Sequence, residues 1–232
     1  MLSEKIKRAI NYFSRGEKAL WLCSVALIAA AFLVFDRSNY IAAANSLIGV
    51  TSLIFVAKGN PIGQVLAIIF SMLYGYISYT YSYFGEMITY LGMTMPMACF
   101  SLVSWLKNPY GSGHSQVKVN RLKAREYAFL ALLTAAVTAV FYFILRAFGT
   151  ANLPLSTFSV TTSFAAVYLT FRRSPYYAIA YSLNDIVLII LWSLATFDDI
   201  SYLSVVMCFA AFLANDIYGF CSWRKMQRRQ SS

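Results

Sequence analysis

The sequence predicts an all-α integral membrane protein with eight transmembrane helices, and three observations carry that prediction. Of its residues 59% are apolar and only 12% charged. The apolar residues gather into eight stretches of roughly 17–23 residues, the length an α-helix needs to cross about 30 Å of hydrocarbon at 1.5 Å per residue. The basic residues fall into every second gap between these stretches.

In order, the stretches run at about 19–35, 40–57, 62–83, 87–106, 127–148, 155–171, 175–197 and 200–221. The side holding the N-terminus receives Lys5, Lys7, Arg8, Arg15 and Lys18, then Lys58, then Lys107, Lys118, Arg121, Lys123 and Arg125. It also receives Arg172 and Arg173, and finally Arg224, Lys225, Arg228 and Arg229. Of the 19 lysines and arginines only Arg37 and Arg146 face the other side, whose turns carry Asp36, Glu86, Asp198 and Asp199. The positive-inside rule then sets both termini in the cytoplasm. The net charge of +10 is accounted for by this topology and by anionic lipid, not by nucleic acid. The four cysteines are isolated and the single histidine, His114, falls in a loop, so no zinc site, disulfide framework or cofactor is expected. Gly111-Ser-Gly113 has no following Lys-Ser/Thr and is no phosphate loop.

Organisation comes from an internal repeat. Lys58-Gly-Asn-Pro61 is matched by Arg172-Arg-Ser-Pro175, and Ile88, Tyr90, Leu91 and Met95 are matched at constant offset by Ile200, Tyr202, Leu203 and Met207. Two elements in the same order indicate duplication of a three-helix unit. Residues 1–38 then form a cytoplasmic N-terminus and an accessory first helix, and 39–107 the first repeat. A basic loop and linker helix span 108–150, the second repeat 151–223, and a basic tail 224–232. The linker restores orientation, so the repeats are parallel in a 3+1+3 core. Transporters of that design hold substrate at the repeat interface near the bilayer midplane.

Polar side chains in the spans mark the inward faces, because lipid penalises them. In the seventh span Tyr177, Tyr181, Asn184, Asp185, Leu188 and Trp192 recur at helical spacing. The third span carries Gln64, Ser71, Tyr74, Ser78 and Tyr81. The second offers Asn45, Gly49 and Ser52, and the sixth Ser159, Thr161, Thr162 and Ser163. Pro96 removes a backbone hydrogen bond near the centre of the fourth span and is expected to kink it. Asn215 and Asp216 in the last third of the eighth span are candidates for an inner gate or for an anchor at the interface.

Gly85-Glu-Met87, Pro96-Met97, Trp105-Leu-Lys-Asn108, Ser159-Val-Thr-Thr-Ser163, Arg172-Arg-Ser-Pro-Tyr-Tyr177, Asn184-Asp185 and Asn215-Asp-Ile-Tyr-Gly219 together resemble the PnuC family of nicotinamide riboside transporters, whose fold is related to the SWEET sugar transporters. The resemblance covers about residues 40–225 and departs at Tyr176, Tyr177 and Ala180, where many members have tryptophans. It implies a homotrimer in a bacterial inner membrane, facilitated diffusion, and trapping of the vitamin by a cytoplasmic riboside kinase.

Nicotinamide riboside is a cationic pyridinium with a carboxamide and ribose hydroxyls. Tyr74, Tyr177, Tyr181 and Trp192 can supply aromatic faces for the cation. Gln64, Asn45 and Asn184 suit the carboxamide and sugar, with Ser52, Ser71 and Thr162 as further hydroxyl partners, and Asp185 can offset the charge. No lysine or arginine lies within these stripes, so the mononucleotide is expected to be rejected. The alternatives are a transporter of another vitamin or nucleoside such as thiamine, and an intramembrane enzyme. The enzyme reading is weakened because Asp185 and Asp216 read as lying at different depths.

Overall fold

The computed structural model describes residues 12–80, 84–111 and 115–231. Lys5, Lys7, Arg8, Tyr81 and His114 lie outside the described residues. Helices follow the predicted spans: α1 Arg15–Phe35, α2 Tyr40–Ala57, α3 Ile62–Thr80, α4 Phe84–Leu106, α5 Ala124–Ala147, α6 Leu153–Phe171, α7 Tyr177–Ala195 and α8 Leu203–Arg229, the last preceded by a 3₁₀ turn at Ile200–Tyr202. Caps set several of the starts. Ser14 and Glu17 form a capping box on α1, Asn39 accepts from the Ala42 amide at α2, and Asp199 accepts from the Ser201 amide before α8.

Among the described residues seven of these helices are long and apolar enough to cross a membrane on their own. The helix that falls short is α6, rich in serine and threonine. It is also the helix whose surroundings are least like lipid, with more than half of its 19 residues buried, Ser159, Thr162, Ser163 and Thr170 among them. Its hydroxyls face protein, which relieves the hydrophobic requirement.

Six helices close into a ring. α2 packs on α3, α3 on α4, α4 on α6, α6 on α7, α7 on α8, and α8 back on α2. Exchanging α2–α3–α4 with α6–α7–α8 maps this ring on to itself, as a parallel repeat requires. Outside the ring α1 lies against α2 and α8, and α5 lies against α6 and reaches α4 where Leu145 crowds Gly85.

The repeat persists in detail at the basic end. Gly59 (φ 67°) and Arg173 (φ 57°) take the same left-handed conformation in their two turns. Asn60 N–H then donates to Phe55 O and Ser174 N–H to Leu169 O, both at 3.0 Å, satisfying equivalent orphan carbonyls. The long loop docks on both turns, through Val117 N–H to Gly59 O and Asn120 N–H to Arg173 O, each 2.9 Å. The helix in front of each repeat is tied in the same way. Glu17, in the first turn of α1, pairs with Lys58 at 3.1 Å, and Glu126, in the first turn of α5, pairs with Arg172.

Two tryptophans seal this end. Trp105 Nε1 donates to Thr170 O at 3.0 Å and Trp223 Nε1 to Val56 O at 2.8 Å, so each repeat's last helix grips the first helix of the other. The rings meet at 5.4 Å between centroids and neither side chain is exposed. Because the two contacts are equivalent, Trp105→Phe and Trp223→Phe are expected to destabilise by similar amounts, about 1–2 kcal/mol for a lost hydrogen bond and reduced packing. Thermal melts of the two variants in one detergent check this, and a large inequality would mean that the seal is not shared.

Candidate functional site

A cavity of about 510 Å³ opens at the end opposite the basic loops. Exposed Arg37, Ser38 and Asp199 stand at its mouth, in the α1–α2 and α7–α8 turns. Its walls include Ile28, Phe32 and Phe35, so α1 contributes directly to the cavity. Deeper it is lined by Asn45 of α2, Tyr74 and Ser78 of α3, Trp192 of α7, and Cys208 of α8.

Aromatic pairs shape the interior. Tyr74 lies 4.3 Å from Tyr90 of α4, and Trp192 lies 5.2 Å from Tyr202, centroid to centroid. The floor is Phe70 edge-on to Phe212 at 5.8 Å, resting on α2 at Gly49. A Cβ at Gly49 would stand 2.5 Å from Phe212 Cζ and 2.9 Å from Phe70, so only glycine lets both rings settle on the helix.

Of the residues expected at the site, Asn45, Tyr74 and Trp192 line this cavity. The rest sit beneath it. Asp185 is seven residues from Trp192 along α7, roughly 10 Å toward the basic end, and Asp216 is one turn below Phe212 on α8. Asn184 Oδ1 accepts from Thr162 at 2.9 Å and from Ser159 at 3.1 Å, joining α7 to α6. Tyr177 packs edge-on to Trp223 at 5.0 Å, with Tyr181 6.2 Å further along α7. Gln64 is buried near the start of α3. Ser71 donates to Ala67 O within its own helix, and Ser52 donates to Gly63 O, bracing α2 on α3.

The different depths expected for Asp185 and Asp216 are corrected by the structure. Their carboxyl groups are close neighbours, both side chains buried. The reason is that α8 continues to Arg229, so Asp216 falls at its middle rather than in its last third. Asn215, one residue away, turns outward and donates to Ser24 of α1 at 2.8 Å. Pro96 follows a five-residue π-helical segment, Tyr90–Thr94, whose altered hydrogen bonding accommodates the missing N–H.

Phe70, Phe212, Tyr90 and Tyr202 were not among the expected site residues. For Tyr90 and Tyr202 the repeat itself was the signal, since they are matched positions that each back an aromatic partner. Phe70 and Phe212 had none, being ordinary apolar residues of membrane helices. Around the mouth burial pushes the Asp36 carboxyl up, while the Ser201 amide holds Asp199 below the usual carboxylate range.

Comparisons with known proteins agree with this frame. Residues 39–225 match the family described as nicotinamide mononucleotide transporter. The nicotinamide riboside transporter PnuC of Neisseria mucosa is 26% identical over 219 residues, covering 92% of this chain and 83% of its own length. That of Haemophilus influenzae is 23% identical over 229 residues, covering 98% of both. A crystal structure of the vitamin B3 transporter PnuC superposes with a TM-score of 0.80 at 25% identity, over 94% of each chain. With the family matched over most of its length and the same helical frame, the chain belongs to the nicotinamide mononucleotide transporter family, the PnuC family of multi-pass membrane transporters.

Proposed function

We propose that the protein carries nicotinamide riboside into a bacterial cell across the inner membrane by facilitated diffusion, with a cytoplasmic kinase trapping it as the phosphate. The observation that carries this reading is the cavity's lining. Aromatic faces and amide and hydroxyl groups line it, with Asp36 and Asp199 at the mouth, and among the described residues its one basic residue is Arg37, also at the mouth. A pyridinium cation suits such walls, each cation–π contact contributing roughly 0.5–2 kcal/mol. A phosphomonoester needs paired arginine or lysine, so the riboside rather than the mononucleotide is the substrate. The relatives from Neisseria mucosa and Haemophilus influenzae are named for the riboside, which supports the same choice.

In this reading the basic end is cytoplasmic and the cavity faces out, closed below by the phenylalanine floor and the tryptophan pair. Transport then requires the floor and the seal to open in turn. Asn184, Asp185, Tyr177, Tyr181, Gln64 and Thr162 receive the substrate after it passes the floor. The protein works as a homotrimer, for which the groove of alanines and threonines along α5 and α6 offers a close-packing surface.

Calorimetry on the purified protein with nicotinamide riboside, its mononucleotide, thiamine and riboflavin tests the substrate. Saturable heat from the riboside alone is the expected result. Heat from thiamine without the riboside would assign the altered Tyr176–Ala180 segment to a different cationic heteroaromatic. Tight mononucleotide binding would overturn the argument from the missing basic residues.

A further inference from the structure

The counter-charge expected for a cationic substrate, Asp185, sits beside Asp216 beneath the floor. A cation arriving in the cavity meets other carboxylates first. Asp36 closes the α1–α2 turn and Asp199 the α7–α8 turn, and both line the mouth close enough to feel each other's charge. Asp199 gives one oxygen to the Ser201 amide at 2.8 Å, which fixes its direction. The guanidinium of Arg37 stands at the same rim, its Nε tied to Leu33 O, leaving an excess of one negative charge.

A second, independent feature lies inside. Asn45 lines the cavity, is only 2% exposed, and its Oδ1 has no hydrogen-bond partner. A buried acceptor left unpaired is costly, and the cost is removed when a ligand brings a donor. Trp192 and Tyr202, 5.2 Å apart, present rings on the wall that descends from Asp199.

Resting on the transport reading above, we propose that this outer cavity is a capture site of its own, distinct from the Asn184–Asp185 level. Asp36 and Asp199 select for positive charge, and Asn45 accepts from the carboxamide or a ribose hydroxyl of a cationic heteroaromatic nucleoside. Capture precedes passage through the Phe70–Phe212 floor, so these residues act on KM rather than on the maximal rate. Arg37 opposes them, and its charge sets how weakly cations are held.

The test is initial-rate uptake into proteoliposomes of nicotinamide riboside and of its neutral dihydro form, which keeps the carboxamide and ribose but lacks the charge. At low salt the Asp36→Asn/Asp199→Asn double variant is expected to raise KM for the cation roughly fivefold per carboxylate, leaving the dihydro form within about twofold. Arg37→Gln should shift KM for the cation the opposite way, which a damaged fold would not do. Asn45→Leu should raise KM for both forms. Asp199→Asn keeps an acceptor for the Ser201 amide, so the cap before α8 survives the change. If the native protein takes up the cation but KM for the two forms moves together, or does not move, the capture site is wrong and the transport reading stands. If the native protein takes up neither form, the transport reading itself falls and the capture site with it.

Discussion

Gly63→Ala is expected to lower the melting temperature by about 8 °C. A Cβ there would stand 2.7 Å from the backbone nitrogen of Val56, 2.6 Å from its Cγ2 and 3.0 Å from Ser52 O. Backbone atoms cannot turn aside as a side chain can, so α3 must separate from α2. The Ser52 hydroxyl bond to Gly63 O, 2.8 Å long, is then stretched as well. Overpacking of this kind costs typically 1–3 kcal/mol, and the weakened hydrogen bond adds about 1 kcal/mol. Gly16→Ala is the control, because nothing lies within 4 Å of its new methyl and alanine favours the helix. A Gly63→Ala melt matching that of the native protein would show that α2 and α3 do not need their close contact.

The second large effect concerns the carboxyl pair. Asp185→Ala should destabilise by about 3 kcal/mol, because it leaves Asp216 buried without its partner. Asp185→Asn should be tolerated, since it keeps the side chain's shape and its amide nitrogen can donate to the neighbouring Asp216 carboxyl. Its riboside transport should nonetheless fall by about tenfold, because the two positions can then hold at most one negative charge beside a cation instead of two. Melting and uptake measured on the same two preparations separate these effects. Equal stability of the alanine and asparagine variants would mean that the two side chains do not support each other in the membrane.

Much of the fold was legible in the sequence because the bilayer imposes it. A chain in hydrocarbon must satisfy its own backbone groups, so eight apolar stretches of spanning length become eight helices. Charge placement then orders them, and the repeated basic-x-x-Pro turns reappear as Gly59 and Arg173 in one conformation. The stripes of α3 and α7 were correctly read as facing protein, since Gln64, Ser71, Asn184 and Asp185 are buried. Helix ends were less legible. The amphipathic last turns of α8, with Trp223, Met226 and Arg229, look like a tail in a hydropathy reading yet continue the helix and set the depth of Asp216.

The site divided along a different line. Sequence by itself determined which faces turn inward, because a polar group opposed to lipid is costly whatever its neighbours are. Only the tertiary structure decided which inward groups share a chamber. Helical periodicity orders residues along one helix but carries no information on the height at which another helix crosses it. Asn45, Tyr74 and Trp192 therefore meet above a floor made by Phe70 and Phe212, two residues with no polar signal to announce them. Asn184 and Asp185 are held below by Thr162, Ser159 and Asp216. That separation arises from contact between side chains on different helices, and only packing can create it.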